Sequence, residues 1–312
     1  MLSAVSIVLP VFGLIFAGFA CRRCGVLGPT AASELNRFVV WLALPALLFD
    51  ILARATWHEL FQPAFVAAFS LAGLAVFAAV VGVRVLLGRP LADASIDGLA
   101  ASYPNTGYVG FPLCMIAFGP SSLTPTTIAT ILVVCVLFAL AIVLIETGLQ
   151  SERRPHHLLL KVMRSLMRNP LLVAPALGAI VSGAHFTLPA SAQTFLKLLG
   201  GAASPCALVS LGLFLAESRE KSAAPPESSW LTFSKLVAQP VLTWWLAAHV
   251  FALPGQLVDI AVLLAALPTG TGPFMLAEYY RREAHVTSRT ILHSTLGSLV
   301  TLTLILLHLH NG

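Results

Sequence analysis

The chain has 312 residues, of which 58% are hydrophobic and only 10% are charged. Soluble domains carry about 25% charged residues, and so few charges cannot cover the surface of a soluble globule of this length. The composition therefore excludes a soluble protein and predicts an integral membrane protein without a soluble domain. The net charge of +5 is explained by where the cations lie along the membrane topology, and no nucleic-acid partner is predicted.

Stretches without charged residues recur along the chain at the length of a membrane helix, about 20 residues. The longest stretch is interrupted by Gly119-Pro120, which predicts a turn between two helices. A shorter stretch is flanked by charges and predicts a helix over 34–53. The pattern predicts an all-α protein with ten transmembrane helices. The stretches are 1–21, 38–49, 60–83, 98–145, 169–196, 198–216, 236–258, 260–277 and 290–312.

The cations predict the orientation of these helices. Sixteen of the 18 lysines and arginines lie beside the odd-numbered connections, including Arg84 after helix 3 and Lys235 before helix 8. Only Arg54 and Lys197 lie towards the other side. Cytoplasmic loops carry the excess of lysine and arginine, which predicts that both termini are non-cytoplasmic. Short loops and an arginine-rich composition favour a bacterial plasma membrane, the inner membrane.

Prolines indicate an internal repeat with a spacing of 160 residues. Each half would contain five helices, an odd number, so the second half must be inverted in the membrane. We predict a first repeat over 1–150, a cytoplasmic loop over 151–168 and an inverted repeat over 169–312. Inverted repeats characterise secondary transporters, whose substrate site lies at the repeat interface. The matching prolines are Pro10 with Pro170, Pro29 with Pro189, and Pro45 with Pro205.

Helices 4 and 9 each contain a cluster of prolines and glycines, from Pro104 to Pro112 and from Pro268 to Pro273. Proline removes a backbone donor and clashes with the preceding turn, so both clusters should interrupt their helices. A single proline kink would be unremarkable in a membrane helix. Unwound backbone at membrane depth is tolerated where it is buried or lines a cavity. Matched breaks in two inverted halves therefore predict a substrate site.

Each break creates a half-helix N-terminus with a partial charge of about +0.5 and unsatisfied N–H donors. Such an end can bind a carboxylate without a formal cation. We expect Asn105 to cap the second half of helix 4 and to donate its amide to the substrate, with Thr269 and Thr271 in the matching part of helix 9. The candidate substrate-binding residues are Pro45, Pro104, Asn105, Thr106, Gly107, Ser204, Ser210, Pro268, Thr269, Gly270 and Thr271. No catalytic residue, metal or cofactor is predicted.

Two acidic residues within helices are candidates for ion or proton coupling. Asp50 precedes Arg54 by four residues, so an ion pair on one helix face is the simpler explanation. Glu146 lies near the cytoplasmic end of helix 5, where contact with water is the simpler explanation.

Several motifs resemble those of one transporter family. They are Pro104-Asn105-Thr106 with Pro112-Leu113, Asn169-Pro170, Ser210-Leu211-Gly212, and Ala265-Ala266-Leu267-Pro268 with Pro273-Phe274. Together they resemble the auxin efflux carriers, which include the plant PIN exporters and many bacterial transporters. Thr269 differs from the longer amide usual in the plant proteins, and the long cytoplasmic loop of many PIN proteins is absent. The resemblance implies a scaffold of helices 1, 2, 6 and 7, a transport unit of helices 3–5 and 8–10, and a homodimer formed through the scaffold.

These features together predict a secondary transporter of elevator-like, alternating-access type. Its substrate would be a small organic anion or weak carboxylic acid, such as malonate, malate or an auxin-like acid. A sodium-coupled symporter of bile-acid-carrier type is the nearest alternative. An intramembrane enzyme is a further alternative, although the chain has no G-x-S-x-G or H-E-x-x-H motif. A channel is less favoured, because matched breaks suit alternating access.

Overall fold

The computed structural model describes residues 2–54, 61–150, 163–164, 167–217 and 226–311, so most of the expected loop 151–168 lies outside the described residues. The described chain is all-helical, and its β-type pairing is confined to an isolated bridge between Pro104 and Thr269. Five of its helices are long and apolar enough to cross a membrane: Ala31–Ala53, Pro63–Leu86, Leu113–Leu149, Ala190–Ala216 and His285–Leu307.

The expected helices 4 and 9 are each divided into two, as the proline clusters predict. Helix 4 becomes α4 and α5, and helix 9 becomes α11 and α12. The helices are α1 (Leu2–Arg23), α2 (Ala31–Ala53), α3 (Pro63–Leu86), α4 (Leu91–Ser102), α5 (106–118), α6 (123–149), α7 (Pro170–Gly183), α8 (Ala190–Gly201), α9 (Ala203–Glu217), α10 (226–250), α11 (Gly255–Ala265), α12 (Gly272–Tyr279) and α13 (His285–Asn311).

The helices pack as two groups. In the first, α1 lies along α9, α7 lies along α2, and α8 and α9 also contact α2. We call α1, α2 and α7–α9 the scaffold group. In the second, α4 packs between α3, α6 and α12, while α10 contacts α11 and α13. We call α3–α6 and α10–α13 the crossover group. The division matches the scaffold and transport unit that the resemblance implies.

Glycines allow the closest helix approaches in the scaffold group. A methyl group at Gly18 would lie 2.2 Å from the carbonyl oxygen of Val209, and one at Gly178 would lie 2.5 Å from that of Phe49. Small residues let membrane helices pack backbone to backbone in this way. Gly178 follows Gly18 by 160 residues, and Val209 follows Phe49 by the same number. The two contacts are therefore equivalent under the spacing of the predicted repeat.

Ion pairs fasten the beginning of α4. The Nε of Arg84 lies 2.6 Å from the Oδ2 of Asp97, with both side chains buried. Arg282, just after α12, binds both carboxylate oxygens of Asp93. Arg84 therefore lies in the last turn of α3, whereas the sequence predicts it in the connection after this helix. We call this end of the crossover group, where α3, α6 and α12 finish and α4 begins, the charged end.

Candidate substrate site at the helix crossing

The two interruptions meet each other. The N–H of Asn105 donates to the carbonyl oxygen of Pro268 at 2.9 Å, and the N–H of Gly270 donates to that of Tyr103 at 2.9 Å. These two bonds flank the antiparallel bridge between Pro104 and Thr269. Buried backbone polar groups need partners, most of all in a membrane. Each broken helix therefore supplies the partners that the other needs, and this holds the two breaks in contact.

A cavity of about 170 Å³ lies beside this crossing. An engineered cavity of about 150 Å³ in another protein holds a molecule of benzene, so the volume suits a small organic molecule. None of the described lining residues is charged, and most are apolar. The lining residues are Leu44, Leu47, Ile51, Tyr103, Pro104, Asn105, Thr106, Gly107, Phe111, Thr130, Val134, Ala203, Gly270, Thr271 and Met275.

Three polar side chains of the crossing line the cavity: Asn105, Thr106 and Thr271, all of them buried. Asn105 precedes α5, but its side chain makes no capping hydrogen bond, so the expected cap is absent. The Oγ1 of Thr106 is buried and has no hydrogen-bond partner among the described residues. An unsatisfied buried hydroxyl costs about 1–3 kcal/mol. This cost would be removed by a bound molecule that accepts or donates a hydrogen bond at Thr106.

The cavity also lies at the electron-poor ends of two half-helices. Thr106 and Gly107 begin α5, and Thr271 directly precedes α12. Each N-terminus contributes about half a positive elementary charge, so together they create a positive potential without a formal cation. Half-helix N-termini of broken membrane helices bind anionic substrate groups in this way. The arrangement is suited to bind a carboxylate.

Some predicted site residues face elsewhere. The hydroxyl of Thr269 donates to the carbonyl oxygen of Ala100 at 2.8 Å, and its N–H donates to Ser294 Oγ at 3.1 Å. The hydroxyl of Ser210 donates to the carbonyl oxygen of Ala32 at 2.8 Å. Thr269 and Ser210 are both buried. Their hydroxyl groups bind the backbone of neighbouring helices and do not line the cavity.

The opposing wall of the cavity differs from the expected one. Pro268 and Pro45 are not among the lining residues, although Leu44, next to Pro45, is. The side chain of Ser204 lies outside the described part of the chain, and its neighbour Ala203 lines the cavity. The wall opposite the crossing is therefore apolar, built chiefly by α2.

The two candidate coupling residues lie outside the cavity lining. Asp50 Oδ1 lies 2.6 Å from Arg54 Nε, which confirms the ion pair that their spacing predicts. Glu146 is buried, and its Oε1 accepts a hydrogen bond of 2.7 Å from the hydroxyl of Tyr280. Glu146 thus has a partner within the protein, at the charged end.

Lys235 is a residue whose role the sequence interpretation missed. It was assigned to a cytoplasmic connection, but it is fully buried in α10, and its Nζ donates to the carbonyl oxygen of Ala265 at 2.6 Å. One turn later, Gln239 Nε2 donates to the carbonyl oxygen of Ser102 at 3.1 Å. Ala265 and Ser102 are the last residues of α11 and α4. One helix therefore caps the C-terminal ends of both interrupted helices.

A signal for Lys235 was present in the sequence. The residues before it, Trp230-Leu231-Thr232-Phe233, are as apolar as those after it. A helix drawn through Lys235, instead of one that begins after it, would have placed this lysine inside the membrane region. A buried ionisable residue in such a position is a candidate for function.

Comparison with known proteins agrees with this architecture. The family model described as "Membrane transport protein" matches residues 3–306. The chain belongs to this family. A protein of Rhizobium meliloti, provisionally named a malonate transporter, is 32% identical over 313 residues, which cover 100% of this chain and 98% of the relative.

More distant members of this transporter family match along nearly the whole chain. The uncharacterized transporter YfdV of Escherichia coli K12 is 25% identical over 94% of this chain and 93% of its own length. The auxin efflux carrier component 8 of Arabidopsis thaliana is 23% identical over 95% of both chains. The resemblance to the auxin efflux carriers is thereby confirmed, and the chain is a membrane transporter with several apolar helices.

Proposed function

We propose that this membrane transporter carries a small organic anion by elevator-like alternating access, with the cavity at the helix crossing as its binding site. The observation that carries the proposal is the pair of half-helix N-termini at the cavity, at Thr106 and Thr271. They supply positive potential and N–H donors at a cavity where none of the described lining side chains is charged. A carboxylate would bind between them, with the amide of Asn105 and the hydroxyl of Thr106 as further donors.

The size and the walls of the cavity support a compact acid. A volume of about 170 Å³ suits a molecule of roughly the size of benzene, which is close to that of malonate or malate. The Rhizobium meliloti relative carries the name of malonate in its provisional description. An indole-type acid is larger, and its ring would extend along Leu44, Leu47 and Ile51. We therefore propose malonate as the first substrate to test.

The inverted-repeat topology is part of the same proposal. The equivalent contacts of Gly18 with Val209 and of Gly178 with Phe49 support two copies related by about a half turn. We propose ten membrane crossings, with repeats over 1–150 and 169–312 and both termini on the non-cytoplasmic side. Large apolar side chains are exposed on the scaffold group, including Phe16, Leu177 and Ile180. They would face lipid or the partner in a homodimer.

The alternatives from the sequence have less support. A sodium site usually includes a carboxylate, and none is among the described residues that line the cavity. The relatives are named as transporters, which supports transport rather than catalysis. Replacing sodium by choline on both sides of the membrane distinguishes a symporter, because a sodium-coupled carrier would then stop.

The test is uptake of radiolabelled malonate, malate and an indole-type acid into proteoliposomes that contain the purified protein. We expect saturable uptake of malonate that Asn105→Ala abolishes. Asn105→Asp should abolish it as well, because its charge would repel the substrate from the same place. Thermal unfolding in detergent serves as the control for folding. Wild-type-like uptake by Asn105→Ala, or uptake of none of these acids by the wild type, would refute the proposal.

A further inference from the structure

A hydrogen-bond chain at the charged end joins the two helix groups. The hydroxyl of Tyr280 donates to Glu146 Oε1 at 2.7 Å and accepts a hydrogen bond of 3.2 Å from Asn169 Nδ2. Glu146 is in the last turn of α6 and Tyr280 follows α12, so both belong to the crossover group. Asn169 is the residue before α7, in the scaffold group. Tyr280 is thus shared between the two groups.

Both partners of Tyr280 are fixed in place. Asn169 is buried, and its Oδ1 accepts a hydrogen bond of 3.0 Å from the N–H of Leu171, which caps α7. Glu146 is buried at the end of α6, where Gly148 packs against the backbone of Ala92 at the start of α4. A relative movement of the groups therefore cannot carry both partners along, and it must break at least one of the two hydrogen bonds.

The hydrogen bonds of Tyr280 lie well away from the cavity along α6. Thr130 and Val134 of α6 line the cavity, whereas Glu146 lies twelve residues beyond Val134, about 18 Å further along the helix at 1.5 Å per residue. The cavity lining extends along α5 to Phe111 and along α2 to Ile51, both away from the charged end, and only one turn along α12 towards that end, to Met275. The hydrogen bonds of Tyr280 thus lie on the side of the crossing where the two groups are packed together.

Aromatic contacts reinforce the same junction. The ring of Tyr279 lies 6.3 Å from that of Trp41 in α2, and 4.9 Å from that of Tyr280. Five residues before Tyr279, Phe274 of α12 packs against Phe214 of α9, with their ring centroids 5.2 Å apart. The end of α12 therefore rests on the scaffold group through its side chains.

We propose that Tyr280 is a latch that holds this end of the transporter closed while the cavity is accessible from the other end. The inference rests on the proposed alternating-access function. In the opposite state the crossover group has moved relative to the scaffold group, the bond from Asn169 to Tyr280 is broken, and water enters from the charged end. The latch thus sets the balance between the two states and, with it, the rate of turnover.

A labelling experiment tests the latch without any substrate. Val134→Cys, in a chain whose five native cysteines are replaced by serine, is a reporter in the cavity for a membrane-impermeant maleimide applied from the side opposite the charged end. Tyr280→Phe removes only the hydroxyl. The bond between Asn169 and Tyr280 joins two neutral groups, and such a bond shifts an equilibrium by about two- to tenfold, so we expect labelling to slow within that range. Tyr279→Phe is the matched control, since its hydroxyl makes no hydrogen bond among the described residues, and it should label at the parent rate.

A second variant protects the test against misfolding. Glu146→Gln keeps the size of the side chain and an acceptor oxygen but removes the charge that polarises the Tyr280 hydroxyl. The bond from Asn169 to that hydroxyl should then weaken, and labelling should slow by a smaller factor in the same direction. If Tyr280→Phe fails to fold, Glu146→Gln alone decides. Parent-rate labelling in every folded variant of Tyr280 and Glu146 overturns the latch. This result is independent of malonate uptake, so failure of the latch and failure of the proposed function are distinguishable.

Discussion

The Nζ of Lys235 lies 2.6 Å from the carbonyl oxygen of Ala265, the residue at which α11 ends. The last carbonyl groups of a helix have no partner within it. In the middle of a membrane protein they also have no water, so an unsatisfied group is costly. Lys235 satisfies this end of the broken helix, while the opposite half begins at the cavity. Lys235 therefore stabilises the crossing through the C-terminal end of α11 and is not among the residues that line the cavity.

We expect Lys235→Met to destabilise the protein by about 1–3 kcal/mol, because it leaves the Ala265 carbonyl unpaired. The methionine retains most of the stem, so the loss reflects the hydrogen bond more than the volume. Thermal unfolding of the purified protein measures it. Lys197→Met, at an exposed lysine of α8, is the matched control and should change stability by less than about 0.5 kcal/mol. Equal melting temperatures for the two variants would contradict the capping role.

Thr106→Val should weaken malonate binding without lowering the stability of the substrate-free protein, because the hydroxyl that it removes has no partner among the described residues. The change removes the unpaired hydroxyl from the cavity and preserves the shape of the side chain. A hydrogen bond to a carboxylate contributes about 1.5–3 kcal/mol, so the dissociation constant should rise by about tenfold or more. Calorimetric titration with malonate measures the change. Thr301→Val removes an equally unpaired buried hydroxyl outside the cavity lining, and its affinity should equal that of the wild type.

Gly270→Ala should damage the crossing itself. The new methyl group would lie 2.9 Å from the Cε1 of Tyr103, and the backbone of Gly270 is bonded to Tyr103. Overpacking of this kind costs about 1–3 kcal/mol, and we expect a loss of uptake together with a lower melting temperature. Gly82→Ala in α3 meets no atom within 4 Å and should be neutral or slightly stabilising. Normal uptake by Gly270→Ala would show that the contact between the breaks tolerates displacement.

Asp97 and Asp50, two of the acidic residues that pair with arginine, should differ in their effect on stability. Asp97→Asn leaves the buried Arg84 with only the more distant and partly exposed Glu227, 4.0 Å away, as a counter-charge, and breaking a buried pair costs about 3–5 kcal/mol. In Asp50→Asn the partner Arg54 has a side chain that is 42% exposed, so the cost should stay below about 1 kcal/mol. Thermal unfolding of both variants checks the order. We also expect Asp50→Asn to retain malonate uptake, and loss of uptake by a stable Asp50→Asn would restore Asp50 as a coupling residue.

The local sequence determined the membrane character and the two interruptions. Proline cannot donate a hydrogen bond, and it obstructs the preceding turn of a helix. Single prolines such as Pro175 are accommodated within a helix, so the breaks near Pro104 and Pro268 follow from the clustering of proline with glycine. The spacing of Asp50 and Arg54 fixes their ion pair for the same reason, because residues four apart share a helix face. The family is likewise carried by short motifs that can be recognised in order along the chain.

Only the tertiary structure decided which side chains face the cavity. Thr269 belongs to the break, yet its hydroxyl donates to Ala100, since the direction of a side chain in an irregular segment depends on the backbone across from it. From the sequence alone Lys235 resembles a loop cation, because its partner, the carbonyl oxygen of Ala265 at the end of α11, lies thirty residues away in the chain. A hydrogen bond between distant segments offsets the cost of burying a polar group. Such a bond exists only after the helices have packed, which is why the sequence could not assign it.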